Sequence, residues 1–130
     1  MSLVVQPNPA DGIVSVGLRG EFTRSQLDTQ VQTLASQMNA NPMDDGAVYL
    51  VDFSEADLAM TASEFMGAVD HWFEHLGELE MAAIVFDGDR HKDQAMLFET
   101  KSFLLGGRHK AFTIRDSAMG WLKGWKRAAD

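Results

Sequence analysis

A chain of 130 residues with a net charge of −8 has room for one domain with its own core. It contains no cysteine, which excludes disulfides, thiolate nucleophiles and zinc–thiolate centres. So acidic a body argues against general nucleic-acid binding, and the longest apolar run, Met81 to Phe86, is far too short to span a bilayer.

The opening MSLVVQPNPADG lacks the basic and apolar regions of a signal peptide, so a soluble, cytoplasmic protein is expected. Charge is unevenly placed. Residues 1–100 carry 4 basic and 17 acidic side chains, whereas residues 101–130 carry 7 and 2. The basic end fits two readings: a complement to helix dipoles, or a segment that meets an anionic surface.

Leu3 to Gln6 reads as a first strand, ended by the turn residues Pro7 to Gly12. Ile13 to Leu18 alternates apolar and small residues, so a second strand pairs antiparallel with the first. Thr23 and Gln26 form a capping box, and Leu27, Val31, Leu34 and Met38 follow at helical spacing. Asn39 to Gly46 is a loop. Ala47 to Val51 is an apolar central strand, which Asp52 is expected to end.

A polar loop then leads to a second capping box, Thr61 with Glu64. Phe65, Val69, Trp72, Phe73 and Leu76 line one face of the helix it opens, with Gly77 as its stop. Met81 to Phe86 is apolar throughout, as a strand buried on both faces would be. A loop from Asp87 to Asp93 precedes a helix to Leu105. Lys110 to Ile114 is a last short strand, and Asp116 or Ser117 caps a final helix carrying Ala118, Trp121, Leu122 and Trp125 on one face. Strands alternating with helices predict a mixed, mostly parallel sheet of four to five strands with about four flanking helices, in a single domain over 1–130.

No constellation amounts to a catalytic site, and no cofactor is implied. Asp87, Asp89, His91 and Asp93 alternate like part of a calcium loop, but Phe98 stands where an EF-hand has its distal glutamate. A solvated turn and helix cap is expected there. His71 and His75 are four apart beside Asp70 and Glu74, yet no HExxH motif and no third ligand is apparent, so no metal is expected. Asp52 and Asp57 are not assigned acid and base roles.

The order of elements resembles that of SpoIIAA-like proteins, relatives of the STAS domains of anti-sigma-factor antagonists and sulfate transporters. Gly20-x-x-Thr23 opening the first helix and Val51-Asp-Phe-Ser54 at the central strand carry the resemblance. So does the closing run from Ala111 to Leu122. Antagonists of that group carry a phosphorylatable serine in an Asp-Ser-Ser-Gly turn, which by the count from Asp52 falls on Met60-Thr-Ala-Ser63. Its aspartate and glycine are absent and Ala62 holds the modified position, so a phospho-switch here must use Thr61 or Ser63. Thr61 also reads as a plain helix cap.

Two ways of working by binding are open. In the first, a protein partner docks on the Ser54–Ser63 loop, through Ser54, Glu55 and Asp57, and on the second helix. In the second, Met96, Phe98, Phe103, Trp121 and Trp125, with Lys123 and Lys126, form a groove between the last two helices for an apolar small molecule, or make weak contact with an anionic membrane. The sequence does not choose between a monomer and a homodimer.

Overall fold

A computed structural model describes residues 2–8, 13–40, 48–76, 81–105 and 108–129, with side chains over 13–36, 48–76, 81–105 and 108–124. Five strands, β1 (Ser2–Asn8), β2 (Ile13–Phe22), β3 (Val48–Leu58), β4 (Ala82–Val85) and β5 (His109–Phe112), form one sheet in chain order. The helices are α1 (Arg24–Ala40), α2 (Ala62–Leu76), α3 (Lys92–Leu104) and α4 (Arg115–Ala129). The edge strand β1 is antiparallel to β2, and the remaining pairs are parallel. Pro7 does not end β1; it pairs with Val14, which an edge strand permits because no further strand needs its missing N–H.

Alternation along the inner strands sorts side chains to two cores. Val14, Val16, Leu18, Tyr49, Val51 and Ile84 face α1, α2 and α3. Their neighbours Ile13, Val48, Leu50, Ala83 and Val85 face α4, through Ala118 and Leu122. The sheet is therefore a middle layer, with three helices on one side and one on the other. The larger core holds an aromatic stack: Phe86 lies 5.7 Å from Phe53 and 6.1 Å from Phe98, and Trp72 meets Phe98 edge-on at 6.2 Å. Among the described residues no helix is long and apolar enough to cross a membrane.

Both capping boxes form. The Thr23 N–H donates to Gln26 Oε1 at 2.9 Å, and the Gln26 N–H returns to Thr23 Oγ1 at 3.3 Å. At the start of α2 the Thr61 N–H donates to Glu64 Oε1 at 3.0 Å, and the Glu64 N–H to Thr61 Oγ1 at 3.1 Å. Neither Asp116 nor Ser117 caps α4, which starts at Arg115; the carbonyl of Ile114 accepts the Ala118 N–H. The expected stop at Gly77 lies outside the described residues.

Asp52 does not end β3. The strand runs on to Leu58, paired with the far end of β2 from Arg19↔Glu55 to Phe22↔Leu58. Between Asp52 and Glu55, β3 carries one residue more than β2 has between Gly17 and Arg19, a bulge. The extra residue shifts the alternation by one. Tyr49, Val51 and Phe53 point into the larger core before the bulge, and Ala56 does so after it. Glu55 and Asp57 are thereby left in solvent. Gly20, opposite Ala56, has φ of 91°, a conformation that glycine alone adopts without strain.

Candidate functional site

The bulge is built by Asp52. Its Oδ1 accepts the Ser54 N–H at 2.8 Å and the Ser54 hydroxyl at 2.6 Å, which closes the turn locally. Its Oδ2 accepts from Arg115 at 2.8 Å, so the first turn of α4 is tied to the middle of the sheet. Arg19 pairs with Glu55 at 2.6 Å alongside. These groups wall a cleft of about 530 Å³ whose floor is Ser15 and Gly17. It lies beside the middle of β2 and β3, at the level where the shorter β4 and β5 end. Its two guanidinium groups each face a carboxylate, an arrangement suited to recognition of polar groups.

On the other side, the Asp87–His91 turn clamps the end of β3. The Arg90 guanidinium donates to the Ser54 carbonyl and to Asp57 Oδ1, the latter at 2.9 Å. His91 is 2% exposed. The Asp87 N–H donates to its Nδ1 at 3.0 Å, which leaves Nε2 to carry the proton and donate to the Ala56 carbonyl at 2.8 Å. Burial lowers the imidazole pKa, against the hydrogen bond to Ala56, which raises it. The Asp87 carboxyl is held low first by the Arg90 N–H and then by the Asp89 N–H, both donating to Oδ1.

This corrects the expected solvated loop. Asp87 does stitch the turn, but His91 is a buried latch between that turn and β3. Ser54, Glu55 and Asp57 are likewise strand residues, not a loop, and are held from both sides. Asp52 and Asp57 engage different arginines. Nothing in the sequence marks His91 as buried, since it stands between Arg90 and Lys92.

The apolar set divides. Phe98 is 3% exposed and packs on Trp72, Phe73 and Phe86, so it belongs to the core and not to a surface groove. Met96 and Phe103 are exposed, the latter at 81%, together with Leu104 and Leu105. Trp121 is half-buried against the Phe112 ring at 5.6 Å, and Lys123 is exposed. The side chains of Trp125 and Lys126 lie outside those described. α3 and α4 cover opposite faces of the sheet, and the open cleft between them runs over β5; Met96 and Ser117 line it, but Phe98, Phe103 and Trp121 do not.

No protein-family model matches the sequence, and no curated protein matches it significantly. Solved structures do. A crystal structure of an uncharacterized DUF3478-family protein with a SpoIIAA-like fold, from Shewanella loihica PV-4, superposes with a TM-score of 0.61 at 19% identity, covering 93% of this chain and 92% of its own. That of an anti-sigma factor antagonist from Mycobacterium paratuberculosis gives 0.64 at 16% identity over 94% and 93%. The chain has the SpoIIAA-like fold.

Within this SpoIIAA-like fold the Met60–Ser63 turn sits where β3 hands over to α2. Thr61 and Ser63 are both exposed. Thr61 is engaged as the cap, and its N–H and then its hydroxyl keep the Glu64 carboxyl below its ordinary pKa. Ala62, the first residue of α2, offers no hydroxyl.

Proposed function

We propose that this protein is a regulatory interaction module that works by binding. Its docking surface is the carboxyl end of the sheet: the β3 extension, the Thr61 cap and the Asp87–His91 turn. One observation carries this reading. A solvent-facing strand end, Glu55 with Asp57, is fixed by Arg19, Arg90 and His91 before any partner arrives. A surface already ordered loses little freedom on binding. Glu21, Glu64 and Asp89 are exposed with it, so the complementary partner is a protein with a basic face. The name of the Mycobacterium paratuberculosis relative, an anti-sigma factor antagonist, agrees with a protein partner. Thr61 and Ser63 are the hydroxyls through which phosphate would reach this surface, next to Glu64, and mass mapping of the phosphorylated chain reads that directly.

Charge reversal tests the surface. Glu55→Lys combined with Asp57→Lys breaks two exposed ion pairs, which contribute little to stability, so the fold should persist. Affinity for a protein recovered with the wild-type chain from host extract should fall at least about tenfold, because like charges then meet across the interface. Equal affinity of both forms for the purified partner would move docking elsewhere.

A second reading rests on the exposed Phe103, Leu104 and Leu105 at the end of α3, 81%, 71% and 53% accessible. Exposed apolar side chains gathered in this way mark a contact with a partner or a lipid surface. Arg108 and Lys110 are exposed nearby in the chain and suit anionic headgroups.

A further inference from the structure

His71, Glu74 and His75 stand at i, i+3 and i+4 on α2, the spacing that brings side chains together on one helix face. The two imidazole centroids are 4.3 Å apart. One donor atom from each of the three residues lies within 4.8 Å of the other two. Around a tetrahedral zinc with bonds of about 2.0–2.1 Å, donor atoms are separated by roughly 3.3–3.5 Å. Closing that gap takes side-chain rotation, which the exposure of Glu74 and His75 allows.

A second observation points the same way. His71 Nε2 is shielded from solvent and has no hydrogen-bond partner among the described residues. Buried polar atoms are normally satisfied, and an imidazole nitrogen is satisfied equally by a proton donor or by a metal ion accepting its lone pair. Asp70, the neighbouring carboxylate, is engaged by Lys101 at 2.9 Å and does not compete. The carbonyl end of α2 adds partial negative charge, which favours a cation.

We propose that His71, Glu74 and His75 bind one divalent transition-metal ion, with zinc the ion that this donor set suits best. Two imidazoles and one carboxylate are a set found at three-ligand zinc centres, with a fourth position left for water. The sequence shows His71 and His75 beside Glu74 without marking a third ligand; the helix brings Glu74 within reach of both imidazoles, where it supplies the third donor. The ion would join adjacent turns near the end of α2 remote from Thr61, so the site is separate from the docking surface.

The test is isothermal titration of the untagged full chain with zinc chloride at neutral pH, with magnesium chloride as the comparison. The structure leads us to expect one zinc per chain and no magnesium. His75→Ala should weaken zinc binding by more than the roughly 10–100-fold that loss of a ligand's hydrogen-bond partner costs. Glu74→Gln should weaken it as well. Both positions are exposed, and an unchanged circular dichroism spectrum confirms folding in each variant. Cobalt(II) should give the intense visible bands of a tetrahedral ion in the wild type and lose them in His75→Ala. Absence of saturable zinc binding, or binding that survives both substitutions, overturns the proposal.

Discussion

Replacing His91 with alanine is expected to cost about 3 kcal/mol and to free the end of β3. The substitution removes the acceptor of the Asp87 N–H and the donor to the Ala56 carbonyl, both in a site that is 2% exposed, and leaves a void beside Phe86. Urea unfolding measures the loss. The same residue makes stability depend on pH. Its folded pKa lies below the ordinary 6.5, so the unfolded chain takes up the proton first. The contribution is therefore complete above pH 6.5 and is lost as pH falls from there through the lowered folded value. Protonation at Nδ1 would also set two donors against each other, His91 and the Asp87 N–H. Asp87 and Glu64 have lowered pKa values too, but their contribution is lost only on passing below the carboxylate range, 3.8 and 4.5. A stability decline that begins as pH falls below 6.5, ahead of the carboxylate range, and is absent in His91→Ala identifies the latch. A flat profile across that window in the wild type would show that His91 is not held neutral.

Trp72→Ala should be the more damaging substitution, at about 4 kcal/mol, or roughly 10–15 °C in melting temperature. The indole is 5% exposed, lies against Phe98, and donates from Nε1 to His109 Nδ1 at 2.9 Å. His109 opens β5, and its carbonyl accepts the Ser102 hydroxyl from α3. One side chain thus joins α2, α3 and the sheet edge. Trp72→Phe separates the two contributions. It retains much of the buried ring but removes the indole donor, and should cost about 2 kcal/mol. If both variants melt with the wild type, the hydrogen bond and the packing described here are not those of the folded protein.

The parts of this fold that were legible in the sequence are those written in local chemistry. Thr23 with Gln26 and Thr61 with Glu64 announce two helix starts because each pair satisfies backbone groups three residues apart. The apolar runs at Val48–Val51 and Ala82–Val85 announce buried strands. What was missed depends on distant partners. Asp52 looks like a strand end because a charge follows an apolar run, yet Arg115, 63 residues away, and the Ser54 turn accommodate it inside the strand. The bulge breaks the two-residue period, so Ala56 and Leu58 do not read as the continuation of Val51 and Phe53. Helical periodicity alone places Phe98 and Leu105 on one side of a helix, but only Phe98 lies over the sheet; Leu105 follows the end of α3 and is exposed.

The central claim is that binding occurs at the carboxyl end of the sheet. Site-specific photocrosslinking in host cells tests it most directly, with the photoreactive side chain placed in turn at Asp57 and at Phe103, both exposed and on different parts of the surface. We expect a discrete protein adduct from position 57, identified by mass spectrometry and reduced by the added Glu55→Lys change. Adducts formed only from position 103, whether to protein or to lipid, would contradict this account and place the working surface on α3.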